Sequence, residues 1–583
     1  MRAPLSRSFS ISLLVAALLL AANSFAQSPL EPAQLPAKTT FYVIWRGTPS
    51  GDIRKSNALL SLWDDPDFAS SRSAFFESFL TESQKQKDQS KLSREELTQY
   101  ASLLDNSFVL GYLPRPSSAA SPKSDSAQSA TAKSAAPAWN GLFFVYDRSG
   151  KEDLLSKAVL RMRAANAEIP KLTPVNVAGV SALKIERKTG TDYWAETGKF
   201  AVSANELPVF EEILKRLAGK GDSSNLAQTP AYQEAKPLLA GGTLELFLAI
   251  PDLKDLALDS NPQFKPLSGV VKAIKLDSIH VLAGHVSFES SRTRVQGSIL
   301  GDASPGSLFD IWSDGQANPA SFSFFTRDTI SINDAQINFL GIYETLKRTF
   351  AAGQDTAKTV LPLETLAQAR LGMPISDALA LTTGELASFQ TSPALDSTKQ
   401  LFFLGINDKP GALKLLRTIL SDQITSEHSE GPVTYLKISL HGSQSSAGLA
   451  QWNFYHLAMT PNFLLGAPNA ETLHAAVAQQ AANIVPSLPQ KFFDARKQFP
   501  EKINGFSYFD FQKVDWPAMK EKWIADANKA AQVKTPNAAS QTTPKQPGWV
   551  TSVNPTVFPR HLHSLFGASW KDAHGVHFDE WLE

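Results

Sequence analysis

The stretch LFFVYDRSGKEDLLSKAVL, residues 142–160, combines an apolar segment, an acidic turn with a glycine and an amphipathic helical pattern. A second stretch with the same order, LFFLGINDKPGALKLLRTIL, occupies residues 401–420. Self-similarity between distant segments is the sequence signature of an internal repeat. Each stretch predicts a strand, a turn and a helix, with Asp147 matched to Asp408. Together they predict two copies of one folding unit.

Matches on either side extend the two copies. The segment around Phe200 resembles the segment around Phe463, and each predicts a β-hairpin that leads into a helix. Further along, His280 is matched with His563 in a last hairpin of each copy.

The beginnings of the two copies are matched through TTFYVIWRGT (39–48) and ASFSFFTRDT (320–329). The first contains a continuous apolar run and the second alternates apolar with polar residues, and both patterns are compatible with a strand. This match places Arg46 and Arg327 at the end of the first strand of each copy.

Two low-complexity stretches, residues 117–137 and 529–548, are rich in small and polar residues. Such segments bury too little apolar surface to offset the entropy of ordering, so we expect disordered surface inserts. The spacing between matched residues changes by about 20 at each insert. We therefore place the first repeat at 36–300 and the second at 320–583.

The predicted fold class is α+β. Hairpins with interspersed helices favour a mainly antiparallel sheet, and we expect helices to cover one face of it. The two tandem copies are expected to pack as a pseudo-symmetric pair.

The first 26 residues have the order of a secretory signal peptide. Arg2 and Arg7 precede an apolar run over 11–22, and small residues follow it. This pattern predicts export to the periplasm or the exterior of a bacterial cell. We expect residues 1–26 to be removed and the mature chain to lack a membrane span.

The composition excludes several kinds of chemistry. The chain has no cysteine, which rules out disulfides, a thiol nucleophile and a thiolate metal site. Lys plus Arg number 56 and Asp plus Glu number 56, so the charge is balanced. Nucleic acid and anionic lipid both need a clustered basic surface, and neither is expected as a partner.

Four histidines lie in HLHSLFGASWKDAHGVHF, residues 561–578. Alignment with the first copy predicts strands over 561–570 and 576–582. His561 and His563 would then share one strand face, as two metal ligands require. The alternative is that these histidines are ordinary strand and turn residues, and we favour it because the first copy lacks the cluster.

No motif for a serine-hydrolase elbow, a phosphate loop, a zinc protease helix or a dinucleotide site occurs. Carboxylates are the remaining candidates for acid–base catalysis or calcium binding, although LWDDPDF (62–68) could equally be a solvated helix end. The acidic candidates are Asp64, Asp65, Asp67, Asp147 and Asp408. We predict no cofactor.

Four residues are candidates for ligand binding. Arg46 and Arg327 could hold an anionic group, or could form a bidentate structural pair with a carboxylate inside the fold. Trp194 and Trp452 lie in predicted sheet and could belong to the core or line a groove between the repeats.

LPAKTTFYVIW, LFFVYDRSGKEDLL, KFAVSANELPVFEEIL and TPAYQEAKPLLAGGTLELFLAIPDL together resemble an uncharacterised family of exported bacterial proteins, domain-of-unknown-function family three-three-five-two. The resemblance covers most of the chain after the leader. It implies no activity and no catalytic residues. The second copy departs from the pattern most.

The leading hypothesis is an exported, non-catalytic, two-repeat protein that binds a small ligand or an envelope partner in a groove between its halves. The alternatives are a hydrolase that acts on an envelope polymer and a periplasmic folding or assembly factor. The sequence leaves the oligomeric state open.

Overall fold

The computed structural model describes residues 28–74, 94–114, 141–157, 171–187, 190–251, 273, 275–352, 357–439, 454–482, 490–533 and 552–583. The leader 1–26 and the first insert, 117–137, lie outside this part. Of the second insert, 529–533 are helical, contrary to the expectation of disorder, and the remaining residues also lie outside the described part.

The described strands number twenty and belong to one antiparallel sheet. Their bounds in chain order, β1 to β20, are Phe41–Trp45, Phe108–Tyr112, Leu142–Asp147, Lys171–Val177, Val180–Arg187, Gly190–Thr197, Phe200–Ala204, Leu244–Ala249, Ile279–Phe288, Thr293–Gly301, Ser331–Gln336, Thr382–Gln390, Gln400–Ile406, Ile424–Glu430, Val433–Ile438, His456–Met459, Phe463–Ala467, Gly505–Asp510, Ser564–Asp572 and Gly575–Leu582.

The α-helices with bounds in the described part are labelled α1 to α13. In chain order they are Gly51–Ser56, Ala58–Asp64, Arg94–Ala101, Leu207–Leu217, Pro230–Leu239, Phe339–Ala352, Ala357–Leu371, Ile375–Ala380, Lys409–Ile419, Ala470–Ala481, Gln490–Arg496, Trp516–Val533 and Phe558–His561. In the described residues, no helix is both long and apolar enough to cross a membrane.

The strands form two ladders that share one junction. The first runs β4–β5–β6–β7–β3–β2–β1–β8–β9–β10. The second runs β14–β15–β16–β17–β13–β12–β11–β18–β19–β20. β10 pairs with β20 from Thr293 opposite Leu582 to Leu300 opposite Gly575. We call this β10–β20 ladder the seam.

Helices cover both faces of the sheet, which corrects the expectation of helices on one face. On one face α4 and α5 bury an apolar stripe against Tyr42 and Ile44 of β1. On the other face Leu60 of α2 packs against Trp45 and Val286. The second ladder is likewise covered, by α10 and α11 on the face of its main core and by α9 on the other face.

The predicted first strand of the second copy is wrong. Residues 320–324 form a 3₁₀ helix, Ala320–Phe324, and the strand follows it as β11. Phe322, Phe324 and Phe325 enter the aromatic core from above the sheet. The alternating pattern of 320–329 therefore comes from a segment that covers the core.

A segment without strands or α-helices, residues 302–319, joins β10 to the second ladder and contains the 3₁₀ helix Leu308–Ile311, and we call it the connector. Two isolated bridges fix it to that ladder, between Trp312 and Ile337 and between Gln316 and Ile503.

Candidate functional site

A cavity of about 790 Å³ lies where the connector meets the second ladder. Its volume is in the range of small-molecule sites. The connector, the start of α6, the end of α8, the start of β12 and the β19–β20 turn all contribute to its wall. Its polar side chains are Asp310, Ser313, Asp314, Asn338, Thr382, Thr383, Asn407, Lys571 and Asp572, and Trp312, Phe339, Leu340 and Leu379 are among its apolar ones.

Hydrogen bonds hold the connector side of the cavity in place. Asn338 caps the first turn of α6, since its Oδ1 accepts from the N–H of Gly341 at 2.9 Å. Its Nδ2 donates to the carbonyl of Asp310 at 2.7 Å. Nζ of Lys571 donates to the carbonyl of Trp312 at 3.2 Å. The wall is therefore tied to both the helix and the β19–β20 turn.

The charge of the wall is negative on balance, because three carboxylates face one lysine. Nζ of Lys571 lies 3.5 Å from Oδ1 of Asp314. Oδ1 of Asp572 lies 3.1 Å from Nε2 of His577, a residue that does not line the cavity, and Oδ2 of Asp310 accepts from the N–H of Gly306 at 2.6 Å. Burial works against ionisation of Asp572, but the N–H of His574 and the ring of His577 outweigh it and hold the pKa of Asp572 below its usual range. No histidine lines the described wall, and the site is suited to binding a polar, positively charged molecule.

Arg46 lies in the fold as the centre of a structural ion-pair cluster. Its guanidinium donates to both carboxylate oxygens of Glu31, at 2.5 and 2.9 Å, and to Oε1 of Glu245, at 2.7 and 3.1 Å. These bonds hold the pKa of Arg46 above its usual range, while burial raises the pKa of Glu245. The bidentate pairing that we weighed against ligand binding is therefore present. The cluster also borders a smaller cavity of about 440 Å³.

Arg327 does not occupy the position that the sequence match gave it. It lies between the 3₁₀ helix and β11, and its carbonyl accepts from Nζ of Lys513 at 2.7 Å. The residue that corresponds to Arg46 in the second ladder is Gln336. The N–H of Arg46 donates to Thr243 at 2.8 Å, and the N–H of Gln336 donates to Asn504 at 2.5 Å.

Trp194 packs on the sheet instead of lining a groove. It lies on β6 opposite Ser203 of β7, and its ring joins an apolar cluster around Tyr146 and Ala201. Trp452 lies outside the described residues.

The proposed histidine pair is separated in the fold, which corrects the strand expected over 561–570. His561 ends the short helix α13, and His563 precedes β19, where its N–H donates to the carbonyl of Glu583 at 2.6 Å. The described residues contain no group of three His, Cys, Asp or Glu side chains that could hold a metal.

His561 instead joins a serine and a carboxylate from the first ladder's α2 region. Its Nδ1 lies 2.9 Å from Oγ of Ser61, and its Nε2 lies 2.7 Å from Oδ2 of Asp65. The His561 bond holds the pKa of Asp65 below its usual range, although burial opposes this, and Arg560 also lies 3.3 Å from Asp65. The sequence flagged His561 and Asp65 separately, and Ser61 was missed.

A serine–histidine–carboxylate chain is the arrangement that activates a nucleophile, but acyl transfer also needs N–H groups for the developing oxyanion. The N–H groups nearest Ser61 are engaged. Those of Leu59 and Leu60 donate to Oδ1 of Asn57, and that of Ser61 donates to the carbonyl of Asn57. The geometry fits a tie between two segments better than a catalytic site.

The other acidic candidates lie apart. Asp64 forms a bidentate pair with Arg54, and Asp67 pairs with Arg560. Asp147 ends β3 and accepts from Ser149. Asp408 precedes α9 without a side-chain capping bond.

Comparison of the chain with protein-family models, curated proteins and solved structures found no match. The site geometry alone therefore carries the functional argument.

Proposed function

We propose that the protein is an exported, non-catalytic, two-repeat protein that binds a small polar ligand in the cavity between the connector and the second ladder. The observation that carries the proposal is the cavity itself, at about 790 Å³, with a tethered wall that presents three carboxylates and one lysine. A ligand with an ammonium or similar cationic group would complement these charges.

The two-repeat part of the proposal is supported by strand order. If the strands of each ladder are numbered 1 to 10 along the chain, those of the first ladder lie in the order 4-5-6-7-3-2-1-8-9-10 from the edge to the seam. The strands of the second ladder, β11 to β20, lie in the same order. β10 and β20 are the last strand of each series and pair antiparallel. An isologous contact between two copies would pair equivalent strands in this way, which supports the two-repeat proposal.

Export and family membership remain part of the proposal. They are supported by the leader pattern at 1–26 and by the resemblance to domain-of-unknown-function family three-three-five-two. The leader pattern supports the periplasm or the cell exterior as the compartment that we propose.

The binding proposal is tested by thermal unfolding of the purified protein with a panel of amino acids, amino sugars, short peptides and polyamines. Ala380 lines the cavity, so Ala380→Trp fills it, and Ala240→Trp in the smaller cavity is the matched control. We expect a panel member to raise the unfolding temperature of the wild type and the control but not of Ala380→Trp. A shift that persists in Ala380→Trp, or no shift for any member, contradicts the proposal.

A second candidate, a hydrolase acting on an envelope polymer, is favoured by one observation, the hydrogen-bonded chain from Ser61 through His561 to Asp65. Such a chain would raise the nucleophilicity of Ser61. A fluorophosphonate reagent tests it: labelling that is lost in Ser61→Ala and in His561→Gln supports the hydrolase, and an unlabelled wild type refutes it.

A further inference from the structure

The core of the second ladder ends in a row of buried polar side chains. Strand pairing places Glu385 of β12, Gln336 of β11 and Asn504, which precedes β18, side by side on one face. Asp334 lies two residues before Gln336 on the same face. The exposed fraction is 2% for Glu385, 4% for Gln336, 3% for Asn504 and 5% for Asp334. With Ser321 above them, we call these residues the acid cluster.

Ser321 brings the two carboxylates of the acid cluster together. Its hydroxyl donates to Oδ2 of Asp334 at 2.6 Å, and its N–H donates to Oε1 of Glu385 at 2.7 Å. Each carboxylate therefore faces the same residue of the covering 3₁₀ helix. Two buried carboxylates that both remain ionised repel each other strongly, and a positive charge is needed to hold them together.

The first ladder supplies that charge from its own side chains. At the corresponding row, the guanidinium of Arg46 lies between Glu31 and Glu245. In the second ladder Gln336 stands in the place of Arg46, while two carboxylates are still present. Among the described residues, no lysine, arginine or histidine forms an ion pair with Asp334 or Glu385.

Three polar atoms of the acid cluster lack a hydrogen-bond partner in the described structure. They are Oδ1 of Asp334, Nε2 of Gln336 and Oδ1 of Asn504. Nδ2 of Asn504 donates to Oγ of Ser313 at 3.1 Å, so the amide of Asn504 is fixed with its oxygen directed away from Ser313. Buried polar atoms are normally satisfied, and three orphans in one cluster indicate a missing polar occupant.

The occupant could be a proton or a cation. Burial, reinforced by Glu385, raises the pKa of Asp334 to about 8. A shared proton satisfies one carboxylate oxygen but leaves Nε2 of Gln336 and Oδ1 of Asn504 without partners. A cation can bind the carboxylate oxygens and Oδ1 of Asn504. It can also bind Oε1 of Gln336 if the amide of Gln336 turns to present that oxygen.

We propose that the acid cluster binds one calcium ion through Asp334 and Glu385, with the amide oxygens of Gln336 and Asn504 and the hydroxyl of Ser321 completing the site. The donor set is entirely oxygen, which selects hard cations. Five protein oxygens in a buried site suit calcium, because magnesium gives up its water ligands reluctantly. The proposal goes beyond ligand binding in the cavity and does not depend on it.

Calorimetric titration of chelator-treated full-length protein with calcium chloride at pH 7.5 tests the proposal. We expect one saturable site per chain and a rise in unfolding temperature with calcium. Glu385→Gln keeps the shape of the side chain and removes one ligand charge, so binding should weaken by about 10- to 100-fold. Asp334→Asn should behave alike. Glu196→Gln, at an exposed ion pair with Arg148, is the control and should bind as the wild type does.

Two results overturn the proposal. One is the absence of saturable calcium binding in the folded wild type. The other is unchanged binding in both Glu385→Gln and Asp334→Asn. A shared proton would give a different pair of results. Calcium would then have no effect, and Glu385→Gln would unfold at a higher temperature than the wild type above pH 8. This outcome refutes the cation site.

Discussion

Gln296 and Asp579 lie opposite one another in the middle of the seam, and Nε2 of Gln296 donates to Oδ2 of Asp579 at 3.0 Å. Arg294 completes the contact, since its Nε donates to Oδ1 of Asp579 at 2.8 Å. Asp579 is only 3% exposed. The two ladders are thus joined by a buried carboxylate from one strand and two donors from the other.

We expect Asp579→Ala to destabilise the protein by about 3 kcal/mol, because it leaves Arg294 and Gln296 without their buried acceptor. Denaturant unfolding of the purified protein measures the change. Asp314→Ala, at a side chain that is 94% exposed, is the control and should alter stability by less than about 0.5 kcal/mol. Equal effects of the two substitutions would show that the seam contact contributes no stability.

The stability of the protein should depend on pH through the buried side chain of Glu580. Burial raises its pKa from 4.5 to about 7 in the folded protein. The folded state therefore binds this proton more tightly than the unfolded state, so the contribution of Glu580 to stability falls as the pH rises from about 4.5 through 7. Glu580→Gln should stabilise the protein by about 2 kcal/mol at pH 8 and by little at pH 4.5. Glu521→Gln, at an exposed side chain, is the control, and a stabilisation independent of pH would contradict the prediction.

The tie between Asp65 and His561 should weaken in acid. The pKa of Asp65 is held below its usual value, so its contribution is present above about pH 4 and is lost as the pH falls through the folded-state pKa. Asp65→Asn should cost about 1–2 kcal/mol at pH 7 and less at pH 3. Urea unfolding at both pH values checks this, and a cost that does not change with pH would count against an ionic bond.

Two glycines on the sheet should differ in their tolerance of alanine. A Cβ at Gly111 would lie 2.2 Å from the ring of Phe143, which is 1% exposed. A Cβ at Gly297 would meet the ring of Phe578 at the same distance, but that ring is 40% exposed and can move. We expect Gly111→Ala to cost about 2–3 kcal/mol and Gly297→Ala less than half as much. Thermal unfolding compares the two, and equal losses would be the contrary result.

Local patterns predicted the fold class and several strand positions. The stretches at 142–160 and 401–420 contain β3 and β13, and Phe200 and Phe463 each begin a strand that pairs with them. The register is less accurate. Phe200 lies opposite Asp147, whereas its match Phe463 lies opposite Gly405, three residues before Asp408, which the sequence had matched to Asp147.

The first strand of the second unit was missed because β11 has the sequence SINDAQ. Its Asp334 and Gln336 are buried, which hydrophobic periodicity cannot anticipate. The aromatic run just before it has the stronger strand pattern, yet it packs from above the sheet.

The sites were predictable only in part, because their contacts join distant parts of the chain. Arg46 was flagged, but its partner Glu245 comes from β8, and His561 was flagged without Ser61. The cavity wall depends on the path of the connector, which has no periodic signal. Tertiary pairing of this kind leaves no trace in the spacing of residues.

The seam also has a consequence for biosynthesis. A nascent chain that emerges from its N-terminus completes β10 long before it reaches β20, because every other strand of the second ladder is made in between. Until then the hydrogen-bonding groups along one side of β10 have no strand to pair with, and such an edge can recruit another polypeptide. Ribosomal stalling or truncation upstream of residue 575 would leave a product in which β10 is an unpaired edge strand. Such a product would be prone to aggregation even if its first ladder were fully folded.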